Sequence, residues 1–319
     1  MENKCLYCYK EINTTDLQTP AGNKNYHPSC SKKLYGDVTP PEIDFTQEQL
    51  LSLAEKVIKS QKTVTGVQPK LSLGLKNKKG EPERFTIVGL LGEYILKPQT
   101  ELYANLPEIE DVTMHLAEIS KINTVPHTLV KLKSGELAYL TKRVDRDKGN
   151  KLHMEDMCQL TERLTEHKYK GSYEQIAKAI KLHSVNPGFD VINFYELVLF
   201  SFLTGNNDMH LKNFSLLKKG LEYSLCPAYD LVASELVVEG DDEELALNLN
   251  GKKKKLKQKD FILAMTKSGI DEKVVNNIFK KYKKLIPKWD QFIEKSFLSD
   301  SMKNEYKKLI EQKASQIEL

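Results

Sequence analysis

Hydrophobic and polar positions alternate along this chain in two rhythms. Over residues 44–60, DFTQEQLLSLAEKVIKS sets Leu50, Leu53, Ala54, Val57 and Ile58 at helical spacing, which predicts an amphipathic helix. Short apolar runs at 70–75, 84–89 and 92–96 predict strands, the first two joined by the turn residues Asn77-Lys78-Lys79-Gly80. A helix is expected over 108–120, then a hairpin of 128–133 and 137–141 around Ser134-Gly135. Beyond about Gly149 the period becomes helical, with helices expected at 154–165, Tyr173–His183 and 193–204. Strands at 214–217 and 221–225 turn at Lys218-Lys219-Gly220, and lysine-rich amphipathic helices finish the chain. Strands first and helices second predict a two-lobed α+β protein.

One interruption of this pattern is chemical in character. The apolar run Leu197-Val198-Leu199-Phe200-Ser201-Phe202-Leu203 breaks off at a polar knot holding Asp208, His210, Lys212 and Asn213, after which a strand resumes. Polar clusters on loops held between hydrophobic elements commonly carry function. Asp208 and Asn213 have the D-x-x-x-x-N spacing of protein-kinase-like catalytic loops, in which the Asp takes the proton of the acceptor hydroxyl and the Asn binds Mg²⁺. The hairpin that follows returns the chain at Cys226-Pro227-Ala228-Tyr229-Asp230, so Asp230 is expected beside Asn213 as a second hard-oxygen ligand. Upstream, Thr63 to Lys70 (TVTGVQPK) lies between a helix and a strand, and Gly66 permits close approach of backbone N–H groups to phosphate. Lys97 ends the apolar strand containing Tyr94-Ile95-Leu96, where a kinase-type fold keeps its phosphate-pairing lysine, and Glu110 is a candidate to hold it. His210 is expected to be a structural hydrogen-bonder rather than a base.

Composition narrows the class. The chain has 319 residues, 40% apolar and 29% charged, which is ordinary for a folded protein of about two domains. Its 48 basic and 44 acidic residues leave a net charge of only +4, so no general affinity for nucleic acid is implied. The most apolar stretch, 191–205, contains Asn193 and Glu196 and is too short and polar to span a bilayer. With no apolar signal core at the N-terminus, a cytoplasmic protein with reduced cysteines is expected.

The order of these features, together with TGVQPKLSL at 65–73, YILKPQ at 94–99, LTKRVDR at 140–146, EDMCQL at 155–160, GNNDMHLKNFSLL at 205–217 and CPAYDLV at 226–232, resembles the HipA family of bacterial toxin kinases. The resemblance implies a two-lobed serine/threonine kinase fold, divided here as a module at 1–40, an N-lobe at 41–150 and a helical C-lobe at 151–319. It implies that Asp208 is the catalytic base and that Asn213 and Asp230 bind Mg²⁺. ATP would be contacted by Lys97, by the loop Thr65, Gly66, Val67, Gln68 and Lys70, and by His210 and Lys212. Lys142, Arg143 and Val144 would form the hinge that meets adenine. Family members are toxins of toxin–antitoxin pairs that phosphorylate an aminoacyl-tRNA synthetase and silence themselves by autophosphorylation in the nucleotide loop. A HipB-like DNA-binding antitoxin is the implied partner. The family's regulatory serines are replaced here by Thr63 and Thr65. The nucleotide loop arrives by residue 65, so the larger N-terminal subdomain of longer members is expected to be missing, as in HipT-type kinases partnered by a small HipS-like protein.

Cys5-Leu-Tyr-Cys8 and His27-Pro-Ser-Cys30 form a C-x₂-C…H-x₂-C arrangement, a closed Cys₃His set suited to structural Zn²⁺. Cys158 and Cys226 lie in apolar contexts as packing residues. Lysines at 252–255 and 257, and at 280, 281, 283 and 284, read first as solvated faces; phosphate contacts to tRNA or operator DNA are the functional alternative. The acidic loop 239–244 is placed to screen them. Two other readings fit the same residues: an inactive nucleic-acid- or protein-binding scaffold, and phosphoryl transfer to a small molecule.

Overall fold

The computed structural model describes residues 3–60, 69–76, 83–88, 92–147, 149–238, 240 and 242–319, with the side chains of 55–60 outside the description. Thr63, Thr65, Gly66, Val67 and Gln68, and the turn Asn77 to Gly80, lie outside the described residues. The chain divides into two units. The first comprises Met1–Asp111, Val125–Gly149 and Lys295–Leu298; the second comprises Val112–Thr124, Asn150–Glu294 and Ser299–Leu319.

In the first unit, helix α1 (Pro28–Tyr35) starts on a proline, whose missing N–H costs nothing at a helix start, and ends at Gly36 in the left-handed region (φ 87°). Helix α2 (Gln47–Ser60) follows, then strands β1 (Leu71–Lys76), β2 (Arg84–Ile87) and β3 (Tyr94–Lys97), helix α3 (Leu106–Ile119), and strands β4 (His127–Lys131) and β5 (Leu137–Lys142). The five strands form one antiparallel sheet in the order β2-β1-β3-β5-β4. Strand alternation decides what each face carries. Leu71, Leu73, Tyr94, Leu96, Ala138 and Leu140 pack with Leu50 and Ala54 of α2 in one buried cluster. Lys97, one residue beyond Leu96, points to the other face opposite its cross-strand partner Tyr139. The Pro40-Pro41 step, read as a linker, is buried, and the Pro40 carbonyl accepts a hydrogen bond from Lys24 Nζ at 3.0 Å.

The second unit holds a three-stranded antiparallel sheet, β8 (Glu222–Leu225), β7 (Ser215–Lys219) and β6 (Met154–Asp156), with helices α4 (Tyr173–His183), α5 (Pro187–Leu203), α6 (Gln258–Lys267), α7 (Glu272–Glu294) and α8 (Asp300–Gln316). The helix expected over 154–165 is not formed. Met154, Glu155 and Asp156 pair instead with Leu217, Leu216 and Ser215, and only Met157–Leu160 is helical, closed by a capping box between Asp156 and Gln159. The apolar spacing there suited a helix, but a partner strand sixty residues away claimed its start. Helix α4 is bounded as expected because Ser172 and Gln175 cap it reciprocally. Helix α5 begins at Pro187, earlier than the expected 193, with Pro at N1 and Asp190 in its first turn. It is hydrophobic nearly all round, with Phe194, Tyr195, Val198, Leu199, Phe200, Phe202 and Leu203 fully buried, as a central helix requires.

Candidate active site

Helix α5 stops at Thr204 because Gly205 takes a left-handed conformation (φ 66°), the usual C-terminal stop. A Cβ there would approach Leu309 Cδ2 to 2.6 Å, so only glycine fits. The polar knot therefore opens from the end of a buried helix and closes into β7. Asp208 is partly exposed, while Asn206, Asn207, His210 and Asn213 are buried. The loop is held from within: His210 N–H donates to Asp208 O at 2.8 Å, Asn213 N–H to His210 O at 3.0 Å, and Asn213 Nδ2 to Asp208 O at 3.1 Å. With its nitrogen used in this way, the Asn213 amide presents its oxygen as the group able to meet a cation. Tyr173 Oη donates to Met209 O at 3.1 Å, pinning the loop to α4.

The hairpin brings Tyr229, the residue before Asp230, back against the loop. Tyr229 Oη donates to Lys212 O at 2.9 Å and lies 2.6 Å from Ser215 Oγ, so the residue before Asp230 is bonded on both sides of Asn213. Asp230 itself has φ 61°, a left-handed conformation that Asp tolerates at modest cost and that a folded chain retains only where its surroundings impose it. Burial lowers the pKa of His210, opposed by the negative charges of Asp208 and Asp230 close by. Its imidazole is therefore held neutral, and its buried Nδ1 has no hydrogen-bond partner among the described residues, so the structural hydrogen bond expected of it is not seen there. Lys212 is ion-paired with Asp156 at 2.6 Å, which ties the polar loop to the end of β6.

Sequence reasoning missed two members of this site. Tyr169 donates its hydroxyl to Asp208 Oδ1 at 2.5 Å and meets the His210 ring edge-on at 5.1 Å. Asp156 receives Lys212. The partners lie 39 and 56 residues apart, so no local pattern announces either one. A recess of about 600 Å³ lined by Arg163, Lys170, Lys267, Glu174 and Asn250 sits at the start of α4, and Asp208, Asn213 and Asp230 do not line it.

In the first unit, Lys97 Nζ and Glu110 Oε1 are 2.5 Å apart, with 5% and 1% exposure, and the ammonium lies 5.5 Å from the Tyr139 ring centroid. Glu110 is thus the acid that holds Lys97. Breaking such a pair is costly, because either charge alone would be a buried uncompensated ion. In the hinge segment, Lys142 N–H donates to Pro126 O and Arg143 N–H to Glu93 O at 2.9 and 2.8 Å, so two of the three expected adenine-facing amides are committed to the sheet. The Arg143 guanidinium is bidentate to Asp145 at 2.9 Å, and Arg146 Nη1 reaches the same carboxylate at 2.5 Å. Burial opposes ionisation of Asp145, but the two arginines outweigh it and hold its carboxyl below the usual range. Lys70 is exposed at the edge of the described residues, just before β1, and Val144 is partly buried.

The ligand atoms of Cys5, Cys8, His27 and Cys30 all lie within 4.8 Å of one another. Cys8 Sγ and Cys30 Sγ are 3.5 and 3.8 Å from His27 Nδ1, close to the ligand–ligand edge of roughly 3.5–3.8 Å that tetrahedral Zn²⁺ bond lengths require. His27 Nε2 lies 3.1 Å from Glu11 O, the carbonyl contact that fixes a proton on Nε2 and leaves Nδ1 as the ligand. Hydrogen bonds from the Cys30 and Cys5 thiols pull Cys8 down to about 3, while the same contacts push Cys30 up. The donor set fits zinc. Cys158 and Cys226 are buried thiols.

With this geometry in hand, comparison with known proteins is decisive at the level of family. A family model described as the HipA-like C-terminal domain matches residues 63–289. The chain belongs to the HipA-like family. This HipA-like chain is 31% identical over 269 residues to "Putative kinase Y4dM" of Sinorhizobium fredii, covering 80% of this chain and 63% of that protein. It is 32% identical over 210 residues to "Putative kinase" of Haemophilus influenzae, covering 60% and 58%. It thus spans less than two thirds of the length of either relative. Among solved structures, a chain of the Shewanella oneidensis MR-1 toxin–antitoxin complex of HipA, HipB and operator DNA matches with TM-score 0.67 at 21% identity, over 83% of this chain and 70% of that one. The Helicobacter pylori proinflammatory kinase CtkA matches with TM-score 0.51 at 16% identity, over 70% and 87%. The fold is accordingly mixed α/β and kinase-like. No helix among the described residues is long and apolar enough to cross a membrane.

Proposed function

We propose that this HipA-like chain is an ATP- and Mg²⁺-dependent serine/threonine protein kinase acting as the toxin of a toxin–antitoxin system. What supports the reading is that Asn213 Nδ2 donates to Asp208 O within one loop and that Tyr229, the residue before Asp230, returns to Lys212 O, in the order and spacing of a kinase. Asp208 accepts the proton of the acceptor hydroxyl, at the carboxylate oxygen that Tyr169 Oη now occupies. The Asn213 amide oxygen and the Asp230 carboxylate hold the metal, which neutralises phosphate charge when bound. Lys97, oriented by Glu110, pairs with nucleotide phosphates, and the loop around Thr65, Gly66 and Gln68 covers them.

Finer assignments follow from membership of the family. An aminoacyl-tRNA synthetase is the proposed acceptor, with inhibition of translation as the outcome. Thr63 and Thr65 are the proposed self-phosphorylation sites, where added charge would repel nucleotide. A HipB-like antitoxin is the proposed partner, in line with the HipB present in the Shewanella assembly, and a HipS-like protein is a second candidate. Intact and peptide mass spectrometry after incubation with Mg·ATP tests the reading. Phosphate on Thr63 or Thr65 in the wild type and none in Asp208→Gln is the expected result. If neither protein gains phosphate and neither transfers it to any lysate protein, the kinase assignment fails.

A further inference from the structure

The cysteine–histidine cluster is built into the first unit through a specific chain of contacts. Cys5 N–H donates to Lys10 O and Tyr9 N–H to Cys5 O, both at 2.9 Å, so the two-cysteine knuckle is a tight turn that delivers Tyr9 in a left-handed conformation (φ 63°). That residue, directly after the ligand Cys8, is 2% exposed and donates its hydroxyl to Asp111 Oδ2 at 2.6 Å. The other oxygen of Asp111 lies 2.8 Å from His127 Nδ1 on β4. Asp111 follows Glu110 on α3, and consecutive helical residues leave the axis roughly 100° apart. One side of this helical turn is therefore fastened to the knuckle and the sheet, while the other presents Glu110 to Lys97.

Other contacts confirm that the module is seated on this unit. Tyr26, next to the ligand His27, donates its hydroxyl to Leu129 O at 2.6 Å, Thr128 Oγ1 donates to Leu6 O at 3.2 Å, and Tyr9 meets Phe297 edge-on at 5.0 Å. Among the described residues the segment before α1 has one-turn helices at Thr14–Leu17 and Gly22–Lys24, so a bound metal would add a tie between its two ends that regular secondary structure does not supply.

We propose that Cys5, Cys8, His27 and Cys30 bind one zinc ion that acts at a distance, as a fastener for α3: it fixes the knuckle, the knuckle fixes Tyr9, and Tyr9 holds Asp111 so that Glu110 stays engaged with Lys97. Tyr9 is a positioning residue and touches neither nucleotide nor acceptor. Metal occupancy thereby sets how well Lys97 is presented, and agents that strip or oxidise the cluster loosen it. The last link, from Lys97 to nucleotide, rests on the kinase reading; the links from metal to α3 do not.

The test uses the full chain in three forms: zinc-loaded wild type, Cys8→Ser, and zinc-loaded Tyr9→Phe. Elemental analysis gives metal content, amide hydrogen exchange gives protection over 106–111, and titration with Mg·ATP gives nucleotide affinity. One zinc per chain is expected in the wild type and in Tyr9→Phe. Because Tyr9→Phe removes one buried hydrogen bond, exchange over 106–111 should accelerate roughly fivefold to tenfold with zinc still bound, and more so in Cys8→Ser. Protection of Tyr173–His183 should not change, and Mg·ATP affinity should weaken by a factor similar to the loss of protection. Absence of zinc from the wild type, or unchanged protection at 106–111 in zinc-loaded Tyr9→Phe, overturns the proposal. If exchange responds as expected but the wild type binds no Mg·ATP, the fastener stands and the kinase reading falls.

Discussion

The region around Lys97 and the loop around Asp208 solve the same problem, holding charged groups ready, in opposite ways. Lys97 and Glu110 are sealed, their charges neutralised by each other and walled by Tyr139. Asp208 is partly exposed, and what holds it is backbone: the carbonyls and amides of Asp208, His210 and Asn213 bond one another while the carboxylate accepts from the Tyr169 hydroxyl. On the proposed kinase reading the contrast has a reason: a pair that presents one fixed charge tolerates burial, whereas a base that would meet a new hydroxyl in each cycle needs an approach. The two sites should therefore fail differently when altered.

The largest effect is expected at the open site. Asp208→Asn should slow phosphoryl transfer by about 10²–10⁴-fold while leaving the melting temperature nearly unchanged, read by phosphate incorporation and calorimetry. At the sealed site the order reverses. Lys97→Met or Glu110→Leu alone should cost about 3–5 kcal/mol in denaturant unfolding, since each leaves a buried ion without its partner. The double variant should recover most of that stability and still not bind Mg·ATP. A double variant as unstable as the singles would show that the pair is net stabilising and would weaken the contrast.

A smaller effect sharpens the sealed side. Burial pushes the carboxyl of Glu108, in the first turn of α3, up to about 7. Its folded value lies above its unfolded one, so the native state takes up a proton as pH falls through about 7. Its stability penalty accordingly appears as pH rises through that value. Glu108→Gln should raise stability by about 1–3 kcal/mol near pH 8, and the gain should vanish toward pH 5, as measured by unfolding at both. Smallest of all, Tyr169→Phe should lower the KM for a protein acceptor by severalfold with little change in kcat, because the native hydroxyl competes for Asp208 Oδ1. An unchanged KM would mean that Tyr169 swings clear before the acceptor arrives.

What could be read from sequence follows the same division. The polar loop after α5 was legible because its groups sit within a few residues, and the hairpin that follows it was signalled by Lys218-Lys219-Gly220. Lys97 was legible as the end of an apolar strand, and the Cys₃His set from its two short spacings. Tyr169, Asp156 and Tyr9 were not, since each acts through a partner far along the chain. The misread helix at 154–165 has the same cause: Met154, Met157, Cys158 and Leu160 carry a helical apolar rhythm, and only the distant β7 shows that the first three residues are a strand. Helix α5 was placed late because Pro187, a start signal, was passed over for the purely apolar residues after it. Local periodicity reports burial well and long-range pairing poorly.

Three of the four lysines in the run at 252–255 are answered from within the chain. Lys252 is paired with Asp260, Lys253 with Glu243 and Lys254 with Asp242, at 2.8, 2.9 and 2.6 Å. A cation already answered from within its own chain has few mobile ions of its own to exchange with a polyanion. Nucleic acid approaching that face would gain little of the entropy that drives protein–phosphate association, and its grip there would be nearly indifferent to added salt.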